Sequence, residues 1–181
     1  ENIKGYNLPL GATSIMTTGK EYDNIYPVWD WTRIPGTTAI GNQDKTSLEG
    51  YQIGNNEFGG GVSDGVNGII AYKGKYNELQ ANKAYFFFDN MMFCIGSDIS
   101  YVQNDNVLTS VEQNLLNGEV IYNDGQEKQL SSNSNMQLKQ LKWVYHNNTG
   151  YIFRGTDNVT IQNMSQAGSW KDINATGESG L

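Results

Sequence analysis

The stretch Lys83-Ala84-Tyr85-Phe86-Phe87-Phe88-Asp89-Asn90-Met91-Met92-Phe93-Cys94-Ile95-Gly96-Ser97 decides the fold class. Two apolar runs flank Asp89-Asn90, and Asp and Asn tolerate the positive φ that a two-residue hairpin turn demands. Three consecutive phenylalanines put bulk on both faces of their strand, as in a strand buried between two sheets, so Phe87 and Ile95 are expected inside. Outward from this hairpin, short apolar alternations recur between clusters of Gly, Asn and Asp. Strands are expected at 13–16, 68–72, 83–88, 91–99, 107–113, 120–122, 142–146, 150–153 and 158–161, with an irregular strand open at 136–138. Asn123-Asp124-Gly125 and His146-Asn147-Asn148-Thr149-Gly150 read as further turns, 41–56 as a surface loop, and 76–82 as room for one or two helical turns at most. The sum is an all-β chain.

Bulk properties agree. The chain has 181 residues and 20.1 kDa, a size suited to one domain with a sizeable core. Charged residues are only 17% against 12% aromatic, with 21 glycines, which disfavours a helical bundle. A net charge of −7 and a pI near 4.6 argue against nucleic acid as a partner. No apolar run approaches the roughly 20 residues of a membrane span, so no membrane is expected as a partner either. Cys94 stands alone and cannot form an intrachain disulfide; it is expected as a small core hydrophobe.

Three groups of residues carry possible chemistry. Trp29, Trp31 and Arg33 share one face if their segment is extended. Aromatic rings beside a guanidinium suit a sugar ring and its carboxylate. The same three residues also fit a core-facing Trp pair with Asp30 or Asp23 neutralising Arg33. Glu57 and Asp64 bracket Phe58-Gly59-Gly60-Gly61-Val62-Ser63; as a Gly-rich turn this could join two carboxylates around Ca²⁺, and otherwise it marks a bulge. His146, the only histidine, invites a general-base role but sits where a hydrogen-bonded structural His is common. With one His and one Cys, no Ser/His/Asp or Cys/His arrangement can be assembled.

Five blocks in order carry a resemblance. They are Tyr26-Pro27-Val28-Trp29-Asp30-Trp31-Thr32-Arg33-Ile34-Pro35-Gly36-Thr37-Thr38-Ala39, then Phe58-Gly59-Gly60-Gly61-Val62-Ser63-Asp64-Gly65, and Ala81-Asn82-Lys83-Ala84-Tyr85-Phe86-Phe87-Phe88-Asp89. His146-Asn147-Asn148-Thr149-Gly150-Tyr151-Ile152-Phe153 and Gly168-Ser169-Trp170-Lys171-Asp172-Ile173-Asn174 follow. Together they resemble the family eight polysaccharide lyases, bacterial secreted enzymes that cleave hyaluronan, chondroitin or xanthan.

The resemblance implies that residues 1–181 are the central domain of such a lyase, a large antiparallel double-sheet sandwich of the galactose-mutarotase-like super-sandwich type. It implies truncation at both ends, with a catalytic N-terminal α/α toroid as the missing partner domain. The enzyme would cleave uronic-acid-containing glycans by β-elimination outside the cytoplasm, extracellularly or in the periplasm. Its substrate is an anionic polysaccharide, and this acidic domain would form one wall of the cleft, with the positive charge supplied elsewhere. The family's cleft Glu and Asn are separated by two residues, a spacing that Glu1-Asn2-Ile3-Lys4 lacks. Glu1 and Asn2 are thus cleft-edge candidates only, and no catalytic residue is expected in the chain. No cofactor is required, although similar lyases can carry calcium near Glu57 and Asp64. The rival reading is a non-catalytic carbohydrate-binding β-sandwich with exposed aromatics.

Overall fold

The computed structural model describes residues 4–41, 54–76, 78–103, 106–155 and 158–174. Contacts divide the chain into two compact units, the first within 1–14, 29–113 and 173–178, the second within 15–28, 114–172 and 179–181. The first unit holds β1 (Thr38–Ile40), β2 (Phe58–Ser63), β3 (Gly68–Tyr76), β4 (Leu79–Phe88), β5 (Met91–Tyr101) and β6 (Val107–Thr109). The second holds β7 (Ile121–Asn123), β8 (Glu127–Gln129), β9 (Ser134–Leu138), β10 (Trp143–His146), β11 (Thr149–Ile152) and β12 (Val159–Asn163). Short 3-10 helices occur at Gly5–Leu10, Tyr26–Val28 and Trp170–Asp172. Every strand pairing is antiparallel, as the all-β expectation requires.

In the first unit, β2-β3-β4-β5 form one sheet by successive neighbours, and β1 pairs with β6. The β4–β5 hairpin turns at Asp89, whose φ is 50°, with Phe88 opposite Met91, so the two-residue turn read from Asp89-Asn90 is present. Alternation along β4 is strict at its start. Leu79, Ala81, Lys83 and Tyr85 are buried, while Asn82, Ala84 and Phe86 are half-buried. Leu10, Ala39 and Tyr76 form the apolar cluster beside it.

The hairpin register corrects the expectation for its phenylalanines. Phe87 lies opposite Met92 and Ala84 opposite Ile95, which puts Phe87 and Ile95 on opposite faces. They are 39% and 56% exposed, and neither is core. Cys94 is exposed too, not a core hydrophobe: it shares a face with its buried ladder partner Tyr85, but β5 is the sheet's edge strand and nearly all its residues are exposed.

In the second unit, β11-β10-β7-β8 form a sheet and β12 pairs with β9. Tyr122, Leu130, Leu138 and Leu141 make its core, with Val144, Phe153, Val159 and Ile161 packed against them. The irregular strand at 136–138 belongs to β9. The turn after His146 is formed by Asn147 and Asn148 with φ of 48° and 60°, two consecutive left-handed residues as a type I′ hairpin needs.

Other expectations fail for local reasons. Residues 13–16 form no strand, because Thr13 donates to the Pro35 carbonyl at 2.9 Å and enters no ladder. Only 107–109 of the strand expected at 107–113 pairs, since Gln113 is used by a different loop. The glycine run Gly59-Gly60-Gly61 is not a turn but part of β2, paired residue by residue with β3. The described residues of 76–82 form a β3–β4 hairpin, not a helical turn. Of the expected loop 41–56, residues 42–53 lie outside those described.

Candidate functional site

The stretch 29–33 is bent, not extended. The Arg33 amide donates to the Asp30 carbonyl at 2.8 Å, closing a turn. Asp30 Oδ1 reinforces it by accepting from the Thr32 amide at 3.0 Å and the Thr32 hydroxyl at 2.6 Å. The three side chains therefore do not line one face. Trp29 and Trp31 meet edge to face, with ring centroids 5.2 Å apart at 83°. Trp31 is only 8% exposed, and Trp29 is half-buried with its indole N–H donated to the Gln113 carbonyl at 3.1 Å.

Gln113 organises this turn from a distance of 80 residues. Its Oε1 accepts from the Asp30 amide at 2.7 Å, and its Nε2 donates to the carbonyls of Asp30 at 3.2 Å and Arg33 at 3.1 Å. Nothing in the sequence marks Gln113 for this task; a glutamine at the end of an expected strand carries no such signal. Arg33 is half-buried and donates from Nη1 to the Thr32 carbonyl at 2.9 Å and from Nη2 to the Gly41 carbonyl at 2.7 Å. Among the described residues its guanidinium thus grips backbone carbonyls, and not the Asp30 or Asp23 carboxylates considered from sequence. The arrangement holds a half-buried cation at this turn.

Glu1 and Asn2 lie outside the described residues. Glu57 and Asp64 stand at opposite ends of β2, about 20 Å apart at the ordinary rise of a strand. Their carboxylates cannot share an ion. Asp64 Oδ1 already accepts from the amides of Val66 and Asn67 at 2.8 and 2.6 Å, and Oδ2 from the Asn67 side chain at 3.2 Å. These bonds, the Asn67 amide first, hold its carboxyl below the usual range. Among the described residues no group of three or more His, Cys, Asp and Glu is gathered for a metal. The residues chosen from sequence do not fit calcium.

His146 is buried, and its Nε2 accepts from the Asn117 amide at 3.0 Å. Only the neutral ring can accept there, and burial lowers its pKa accordingly. It is a structural histidine. Beside it in the chain, Asn147 donates to Glu21 Oε1 at 2.8 Å and accepts from the Asn117 side chain at 2.6 Å. Glu21 is 4% exposed and also accepts from the amides and hydroxyls of Thr17 and Thr18. Burial pushes its carboxyl up, but this set of donors outweighs burial and holds it far below the usual range. The group is a hydrogen-bonded knot that stabilises the Glu21 carboxylate and ties the loop at 17–21 to the β10–β11 turn.

In the first unit, a second polar group lies under β3 and β4. Lys83 Nζ donates to the Gly36 carbonyl, and Tyr85 OH reaches the carbonyls of Gly11 at 2.9 Å and Gly36 at 3.3 Å. Lys83 lies over the Tyr85 ring, 5.6 Å from its centroid. Burial lowers the Lys83 pKa to about 8, opposed by the charge of Cys94. The sequence carries a sign of this group: a lysine at an alternating position between Ala81 and Tyr85 must either face solvent or find partners inside.

Comparison with known proteins identifies the surroundings in which these groups act. Residues 1–180 match the model of polysaccharide lyase family 8, super-sandwich domain. Chondroitinase-AC of Pedobacter heparinus is 41% identical over 177 residues, covering 96% of this chain and 25% of that protein. Hyaluronate lyase of Staphylococcus aureus is 26% identical over 182 residues, covering 96% of this chain and 22% of that protein. A chondroitinase AC lyase solved as enzyme–oligosaccharide complexes superposes with a TM-score of 0.82 at 37% identity, over 99% of this chain and 27% of that one. The chain therefore spans about a quarter of the length of the relatives it matches.

Proposed function

The chain belongs to polysaccharide lyase family 8, and on that premise we propose that it is the central β-domain of an enzyme that cleaves uronic-acid-containing glycans by β-elimination. The family match over residues 1–180, with 41% identity to a chondroitinase, is the observation that carries this reading. In such a reaction a base removes the proton at C5 of the uronate, an acid protonates the departing O4, and positive or hydrogen-bonding groups stabilise the growing charge on the carboxylate.

The chain's own residues suit a supporting role. Its only histidine is buried, neutral and committed as an acceptor to Asn117, so it is a poor base. The base and acid belong to another part of the enzyme, for which an N-terminal α/α toroid is our proposal. The β-domain forms one wall of the cleft, and Arg33 is its residue best suited to a glycan carboxylate. The acidic total charge leaves most of the positive field to the rest of the enzyme. Action on polymeric glycans implies a location outside the cytoplasm, extracellular or periplasmic. Among the described residues no helix is long and apolar enough to cross a membrane. The rival carbohydrate-binding reading needs exposed aromatics, and Trp31 does not supply one, being buried.

The test is to incubate the full-length protein and, separately, residues 1–181 with chondroitin and hyaluronan, following ultraviolet absorbance of the unsaturated uronate. Turnover by the full-length protein alone is expected. No turnover on any uronate glycan would overturn the lyase reading, and turnover by residues 1–181 would overturn the supporting role.

A further inference from the structure

Two loops of the first unit approach each other at glycines. Gly11, with φ of 89°, ends the 3-10 helix Gly5–Leu10, and Gly36, with φ of 80°, ends the turn that follows Arg33. A Cβ built on Gly36 would lie 2.5 Å from the Gly11 carbonyl oxygen and 2.6 Å from Thr13 Oγ1, so the two backbones touch with no room for a side chain. Both residues present carbonyls to the same buried face of β4.

Carbonyls presented to a buried face need donors. Tyr85 supplies one, its hydroxyl reaching Gly11 at 2.9 Å and Gly36 at 3.3 Å. Lys83, two residues earlier on the same face, adds an ammonium to the Gly36 carbonyl. Lys83 is only 6% exposed. A buried ammonium is costly and persists where its partners hold it. Tyr76 extends the same arrangement from β3, donating to the Pro9 carbonyl at 2.8 Å.

We propose that Lys83 and Tyr85 are positioning residues that jointly fix the segment at 4–11 against the turn at 29–36. The second segment carries Trp29, Trp31 and Arg33. The pair sets the position of that turn, and with it Arg33, against the segment at 4–11, without touching glycan. This deepens the lyase reading above and rests on it for the kinetic consequence alone.

The experiment compares Lys83→Met and Tyr85→Phe with wild type in the full-length protein by hydrogen exchange and steady-state kinetics. Each variant should speed amide exchange about tenfold in both segments, 4–14 and 29–41, while β9 to β12 stay unchanged. The double variant should add little to either single one, because both side chains serve the Gly36 carbonyl. In kinetics, KM for uronate glycan should rise about tenfold with kcat within twofold; a merely structural defect would lower the active fraction and leave KM alone. Tyr85→Phe keeps the ring and decides the matter if Lys83→Met does not fold. Exchange that changes in one segment only, or in neither, overturns the proposal, and so does an unchanged KM with intact turnover. If wild type cleaves no uronate glycan, the lyase reading falls, and the exchange result still decides the positioning role.

Discussion

Among the described residues Lys83 and His146 are buried basic side chains, and the pH dependence of stability separates them. Burial pushes the Lys83 pKa down to about 8 in the folded protein, from its ordinary value near 10.5. Below pH 8 it is charged in both states and its desolvation cost is fully present. Between about 8 and 10.5 the folded state sheds its proton first, so stability rises with pH by a sum on the order of 3 kcal/mol. Above about pH 10, Tyr72 and Tyr85 reverse the trend: burial raises both, so the unfolded state ionises first. Cys94, raised chiefly by burial, opposes the Lys83 gain from about pH 9. The difference in melting temperature between wild type and Lys83→Met isolates the lysine, and it should change in favour of wild type from pH 7.5 to 10. His146 acts on the acid side. Its pKa is lowered, so stability is lost as pH falls below about 6.5, where the unfolded state takes up the proton first. His146→Gln should flatten the melting profile between pH 5 and 7; an unaltered slope there would mean that His146 takes up its proton equally in the folded and unfolded states.

At the scale of elements, turns were more legible in the sequence than faces. Asp89-Asn90 and Asn147-Asn148 announce hairpins because left-handed backbone selects Asn and Asp locally, and both are present. Phe87 and Ile95 misled because in an aromatic run every phase looks apolar; which residue turns inward depends on ladder pairing with Met92 and Ala84. Gly59-Gly60-Gly61 misled in the other direction, since a glycine run signals a turn in isolation but is held extended by nine-residue β3. At the site, Trp29, Trp31 and Arg33 were visible by type, whereas their bend, imposed by Gln113 and Asp30, arises from tertiary contact. Two element-scale outcomes follow. Asn148→Gly should be neutral or slightly stabilising, while Asn148→Val should cost about 1–2 kcal/mol by denaturant midpoint, because a β-branched residue is strained at φ of 60°. Leu130→Ala, which removes a 5% exposed side chain from the second unit's core, should cost about 2–5 kcal/mol. Ile95→Ala at an exposed position should cost less than about 1 kcal/mol, and equal effects would mean that the assignment of faces is wrong.

At the scale of the whole molecule, under the lyase reading a net charge of −7 would face a glycan of the same sign. Electrostatics between them is governed by distance. At low ionic strength, about 0.01 M, the Debye length is near 30 Å and the total charge repels the polymer; at physiological salt it shrinks to about 8 Å and only groups near contact matter. Within that range the described candidate is Arg33, and two of its donors are already used on the carbonyls of Thr32 and Gly41. One partly committed guanidinium cannot offset the entropy of holding a flexible oligosaccharide. Residues 1–181 alone should therefore bind chondroitin or hyaluronan oligosaccharides at millimolar strength or weaker. The dependence on salt should be inverted relative to a basic glycan binder: no gain, or a loss, as ionic strength falls from 0.15 to 0.01 M. Calorimetric titration at both salts reads this directly. Micromolar binding that tightens at low salt would require a local cationic surface strong enough to outweigh the acidic whole, and would return the carbohydrate-binding reading to first place. Under the lyase reading, the same titration on the full-length protein should show affinity that strengthens at low salt, since the cationic field then comes from outside residues 1–181.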